Sequence, residues 1–146
     1  MGLKKGFTMI ELIFVIVILG ILASVAIPRL AVSRDDAQIV KLRADVQAIQ
    51  TGIALQKGIN LMSGNIAAPT IKAGFGNVLE GKSLTAAPNG IGWKKVPTAD
   101  TNGDENRSTI ATACIKKNQC ADFYYDKDGT FSCDNTNKIC AIIIGN

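Results

Sequence analysis

Leu12-Ile13-Phe14-Val15-Ile16-Val17-Ile18-Leu19-Gly20-Ile21-Leu22-Ala23-Ser24-Val25-Ala26-Ile27 is a run of sixteen residues without a charge, about 24 Å of helix at about 1.5 Å per residue. Phe7 to Ile10 extend it, so the segment nearly spans a bilayer. Lys4 and Lys5 precede it. The positive-inside rule therefore keeps the first residues cytoplasmic and sends everything after Ile27 across the membrane. A basic start, an apolar stretch and the small-x-small pattern Ser24-Val25-Ala26 also fit an ordinary secretory signal peptide. Glu11 argues against that reading. It is a carboxylate at the front of the apolar run, where a charge costs about 2.5 kcal/mol or more at the bilayer centre, and a signal peptide has no use for it.

Working outward, Pro28 removes a helix hydrogen bond and Gly20 weakens the helix before it. Beyond Pro28 the apolar residues Val32, Ile39, Leu42, Val46, Ile49 and Ile53 recur mainly at three- and four-residue steps, with Arg34, Asp35, Asp36, Lys41, Arg43 and Asp45 on the other faces. The helix is expected to continue amphipathically and to end near Gly58, a residue suited to a C-terminal cap. Phe7 to Lys57 would make about 75 Å of helix, too long for one small domain to cover. A coiled coil would need apolar residues at Asp35 and Gln56, so the amphipathic half is expected to pack on the chain's own sheet.

Residues 59 to 113 are rich in Gly, Asn, Pro, Thr and Ala and read as loops around a short strand at Trp93. Phe123 to Asp126, Lys127-Asp128-Gly129 and Thr130 to Cys133 predict a β-hairpin with an Asp-Gly turn. Ile139 to Ile144 is expected to add another strand. One long helix against a small antiparallel sheet is an α+β architecture. At 146 residues there is room for one compact domain. A formal net charge of +4, half of it from Lys4 and Lys5, is too small to argue for a nucleic-acid partner. The chain has no histidine, which removes the commonest general base and metal ligand and every Ser-His or Cys-His pair. No enzyme activity is expected.

Lys4-Lys5-Gly6-Phe7-Thr8-Met9-Ile10-Glu11-Leu12, followed by the apolar run and Ile27-Pro28, closely resembles the type III signal of type IV prepilins and type II secretion pseudopilins. The resemblance covers about thirty residues. It implies a leader at 1–6, cleaved after Gly6 by a prepilin peptidase that also methylates the new amine of Phe7. It implies a transmembrane helix half at 7–28, an amphipathic half at 29–58 and an exported head at 59–146, together forming the pilin fold. It also implies assembly through Phe7, Glu11, Gly20 and Pro28. Glu11 would pair with the Phe7 amine of a neighbouring subunit, although a protonated Glu11 or a pair with its own terminus remains open. The stretch between Gly20 and Pro28 would either kink or melt in the filament. The partners implied are the peptidase, identical or related subunits, an inner-membrane assembly platform and lipid. The implied location is the inner membrane with the head periplasmic, then a periplasmic or cell-surface filament.

All four cysteines, Cys114, Cys120, Cys133 and Cys140, lie in the last third of the chain, in the part the charge argument places in an oxidising compartment. Two disulfides are expected. Short loops close easily, which favours Cys114 with Cys120 and Cys133 with Cys140, and the crossed pairings stay open. A four-thiolate zinc site is the rival, but spacings of five and six intervening residues are wider than usual. Many pilins close a C-terminal loop with one disulfide, so a second departs from the family pattern.

Three motifs remain. Gly76-Asn77-Val78-Leu79-Glu80-Gly81-Lys82-Ser83 matches the P-loop pattern, yet Pro69 to Phe75 is a weak strand, Pro88 stops a following helix early, and the segment faces a compartment without ATP. No nucleotide is expected. Asp100, Asn102 and Asp104 are spaced like calcium ligands, but Glu105 and Ala111 stand where an EF-hand needs Gly and Glu. A calcium site of another kind and a solvated turn are the two readings. Asn106-Arg107-Ser108 is a sequon for N-linked sugar, preceded by Asp104-Glu105. Taken together, the residues and the resemblance predict a structural filament subunit, with a pseudopilin of a type II secretion or competence system ahead of a true type IV pilin. A secreted disulfide-bonded binding domain is the more distant alternative.

Overall fold

A computed structural model describes residues 6–145 and, inside the long helix, leaves the side chains of residues 25–33 undescribed. The element order is helix α1 (Met9–Met62), strands β1 (Gly92–Lys95), β2 (Thr109–Lys116), β3 (Gln119–Tyr125) and β4 (Phe131–Cys133), then helix α2 (Lys138–Ile144). The chain divides into two units, Met1–Asp36 and Ala37–Asn146.

The first unit carries the start of α1. Leu12, Phe14, Ile16, Leu19, Ile21 and Leu22 are all exposed, so this helix is apolar on every side and needs apolar surroundings that the unit itself does not supply. Among the described residues no helix is long and apolar enough to cross a membrane. The uncharged run continues into residues 25–27, which lie outside those whose side chains are described.

The second unit is a helix packed on a four-stranded antiparallel sheet of order β1-β2-β3-β4. It is an α+β domain of the kind expected. Leu42, Val46, Ile49 and Ile53 recur at steps of four, three and four, which puts them on one stripe of α1, and all four are buried. Opposite them the sheet presents Trp93, Ala113, Ala121, Phe123, Tyr125 and Phe131 at alternating strand positions. Phe123 stacks on Phe131 with centroids 5.1 Å apart, and Phe75 meets Phe131 edge-on at 5.5 Å. Burying each large apolar side chain contributes about 1.5–3 kcal/mol, so this cluster dominates the domain's stability.

The helix reaches Met62 rather than stopping near Gly58. A glycine in a helix interior costs only about 1 kcal/mol, too little to stop the last turn, although Ile59, Leu61 and Met62 beyond it are exposed. Gly64, at φ 77°, follows the real end, where its N–H donates to the Leu61 carbonyl. The expected strand at Trp93 is β1, and the expected hairpin is β3–β4. Its turn is closed by Asp126 N–H to the Thr130 carbonyl at 3.0 Å and by Gly129 N–H to the Asp126 carbonyl at 2.9 Å.

The expected strand over Ile139 to Ile144 is instead helix α2. Asn137 caps it by accepting from Ile139 N–H at 2.9 Å, and Gly145 ends it in the left-handed region at φ 82°. A run of isoleucines does not distinguish strand from helix by period alone; the flanking Asn and Gly decide it. Both local cysteine pairs are bonded, Cys114 with Cys120 and Cys133 with Cys140.

Candidate processing and assembly site

Gly6 and Phe7 are exposed and outside regular structure, immediately ahead of the first helical residue, Met9. Thr8 is the cap of α1: its carbonyl accepts the first intrahelical bond from Leu12 N–H at 3.2 Å. Thr8 N–H and Thr8 Oγ1 donate to Glu11 Oε2 at 3.0 and 2.8 Å, and Glu11 N–H donates to Thr8 Oγ1 at 3.4 Å. This is a reciprocal capping box, which satisfies donors that a helix start leaves orphaned and puts a carboxylate at the positive end of the helix dipole. Glu11 therefore has a partner within its own chain, one residue from the Gly6–Phe7 peptide bond. Thr8 stands in the signal motif without an expected role of its own; the Thr-x-x-Glu spacing is the signal that gives it one. Gly20 lies within α1 with open space around it. The Pro28 side chain, and with it the reading of a kink or melted stretch there, lies outside the described residues, as do Lys4 and Lys5.

The remaining candidate residues sit in the head. Asp100 is exposed, and Asn102 Oδ1 accepts from Thr70 Oγ1 at 2.6 Å. Asp104 accepts from Asn106 N–H at 2.9 Å and from the Ser108 hydroxyl. The first of these bonds, seconded by Ser108, holds the Asp104 carboxyl below the usual carboxylate range. The three side chains thus answer to different neighbours. No group of three or more His, Cys, Asp or Glu suited to a metal ion occurs among the described residues. Asn106 is exposed, with the Ser108 hydroxyl of its sequon turned to Asp104. Beside them Arg107 lies 5.0 Å from the Tyr124 ring centroid and 3.9 Å from Asp126 Oδ1. Gly76 to Ser83 is a series of turns with neither a strand before it nor a helix after it, so it lacks the strand–loop–helix setting of a phosphate-binding loop.

An apolar helix with a capped, exposed start and a separate head of one helix on an antiparallel sheet defines a pilin-like protein. Residues 1–27 match the family model for the prokaryotic N-terminal methylation motif. Among curated proteins, the chain is 30% identical over 105 residues to type II secretion system core protein G of Escherichia coli K12, covering 70% of this chain and 69% of that one. It is 34% identical over 101 residues to the type IV narrow pilus major component PilA5 of Thermus thermophilus, covering 66% and 83%. It is also 32% identical over 92 residues to core protein G of Pseudomonas aeruginosa, covering 63% of this chain but 60% of that relative. No solved structure gave a significant match. The chain belongs to the family of type IV pilin-like proteins, which takes in both pilins and type II secretion pseudopilins.

Proposed function

We propose that this chain is a structural filament subunit, a pseudopilin of a type II secretion or competence-type system. In this reading a prepilin peptidase cleaves between Gly6 and Phe7 and methylates the Phe7 amine. Until assembly the subunit rests in the inner membrane with its head on the periplasmic side. An inner-membrane platform then extracts it, and it polymerises through its N-terminal helix. The observation that carries the proposal is the exposed, non-helical Gly6–Phe7 bond directly ahead of the Thr8–Glu11 capping box and an all-round apolar helix. Cleavage would create an ammonium next to Thr8, within reach of the carboxylate that Thr8 now holds. Glu11 could then exchange its partner for the amine of a neighbouring copy. Gly20 and Pro28 would set where the helix yields in the filament. The function needs neither calcium at Asp100, Asn102 and Asp104 nor a sugar on Asn106.

Mass spectrometry of the membrane-purified protein, from cells with and without the peptidase, tests the processing step. A methylated Phe7 that disappears without the peptidase supports the reading, and a start near Ile27 defeats it in favour of an ordinary secreted domain. The match across 83% of the Thermus pilus component favours a second reading, a subunit of a true type IV pilus. Deleting the gene separates the two: loss of secretion with surface filaments intact supports the pseudopilin, and the reverse supports the pilin.

A further inference from the structure

Strand β3 is paired along its length with β2, but on its other side β4 reaches only Phe123, Tyr124 and Tyr125. Cys120 and Asp122 lie opposite Cys114 and Thr112, and the Cys114 and Cys120 Cα atoms are only 4.0 Å apart, as in a pair that exchanges no ladder bonds. The backbone groups of Cys120 and Asp122 therefore point away from β2, toward the side β4 does not cover. Helix α2 contacts β3. Asn137 Nδ2 donates to the Cys120 carbonyl at 3.1 Å, Cys140 is bonded to Cys133 at the end of β4, and Arg43 Nη2 donates to the Ile142 carbonyl at 2.8 Å.

We propose that α2 is an edge guard, pinned by the Cys133–Cys140 bond over the uncovered half of β3 so that this edge cannot pair with β3 of a second copy. An unpaired strand edge is a template for another chain, and covering it with a helix is one way folds suppress that. Only one short stretch of β3 is open, and its two outward-facing residues would match those of a second β3 related by a two-fold axis. The covalent step closes the guard: the Cys133 and Cys140 thiols give two protons and two electrons to a disulfide-bearing donor, which leaves as a dithiol. In the reduced subunit α2 loses its covalent pin and keeps Asn137, Arg43 and the packing of Ile143, which is fully buried, with Ile139 and Ile144 beside it.

The test uses the full chain in detergent micelles, comparing wild type, a Cys133→Ser/Cys140→Ser variant and an Asn137→Ala variant that keeps both disulfides. Hydrogen exchange reads the amides of Ala141 and Gly145, which bond within α2, against those of Ala113 and Ala121, which face each other in the β2–β3 ladder. Losing the pin is expected to speed exchange in α2 on the order of 100-fold, and losing the cap about 10-fold, with the ladder unchanged in both. The infrared signal of intermolecular sheet is expected to rise with concentration in the cysteine variant and to vanish when Asp122→Pro is added, since proline on an outward-facing edge position blocks pairing. Three results would overturn the proposal: no faster exchange in α2 in either variant, an equal rise at Ala113 and Ala121 in Asn137→Ala, or a released α2 without intermolecular sheet.

Discussion

Trp93 Nε1 donates a 3.0 Å hydrogen bond to Asp45 Oδ2, tying the edge strand β1 to the middle of α1. The indole is buried and the carboxylate half-buried, so removing the acceptor leaves an indole N–H without a protein partner. Asp45→Ala is expected to destabilise the head by about 1–2 kcal/mol. Denaturant unfolding followed through Trp93, the single tryptophan, would read this directly, and an unchanged midpoint would mean that water replaces the bond at no cost.

Gly52 and Gly58 should respond to alanine with opposite signs. A Cβ at Gly52 would run into the Val78 carbonyl, whereas at Gly58 it would meet nothing within 4 Å. Gly58→Ala is expected to stabilise by about 0.5–1 kcal/mol through helix propensity. Gly52→Ala is expected to cost about 1–3 kcal/mol, because α1 and the Val78 backbone must separate. Thermal melts of the two variants in parallel give the comparison.

Tyr125 is fully buried and donates a 2.6 Å hydrogen bond to the Pro69 carbonyl. Burial pushes its hydroxyl up to about 12. A raised tyrosine favours the neutral form in the fold, so its contribution is complete below the unfolded value of about 10 and is lost as pH climbs from there toward 12. An ultraviolet titration should show one phenolate appearing near the top of that window, coincident with unfolding. Tyr125→Phe should remove that phenolate and cost about 1 kcal/mol at neutral pH.

Asp104 and Asp134 are both held below the ordinary aspartate range, Asp104 first by Asn106 N–H and Asp134 first by Thr136 N–H. A lowered carboxylate contributes stability that is present above its unfolded value of about 3.9 and is lost as pH falls through its folded value. The melting temperature should therefore be insensitive to these groups at pH 5 and should drop below about pH 4. Asp104→Asn and Asp134→Asn should each flatten that drop. An unchanged acid slope in both variants would show that other carboxylates carry it.

The helix face and the last hairpin were legible because period and turn chemistry coincide there: Leu42, Val46, Ile49 and Ile53 step like a helix, and Asp128-Gly129 sits where a turn is needed. Strand β2 was not legible. Thr109-Ile110-Ala111-Thr112-Ala113-Cys114 carries three small, fully buried side chains, Ala111, Ala113 and Cys114, and alanine lacks the bulk by which strands usually announce themselves. Helix α2 was misread because its isoleucines carry no period, although Asn137 and Gly145 bracket it. At the N-terminus the charged and apolar residues stood out, while Thr8, the group that Glu11 touches, took its meaning only from the spacing of the two.

Both disulfides join residues six or seven positions apart, and neither bonds to a residue of α1. The head grips its helix through the apolar stripe and through single bonds such as Gln50 Nε2 to the Phe131 carbonyl at 3.1 Å and Lys57 Nζ to the Asp128 carbonyl at 2.6 Å. A force that pulls the sheet along the axis of this helix would load those contacts in shear, all at once, with the loop at residues 63–91 as the covalent tether between helix and sheet. Mechanical strength in this subunit is then a matter of packing, and a truncated side chain in the stripe would lower the rupture force more than the loss of either sulfur bridge.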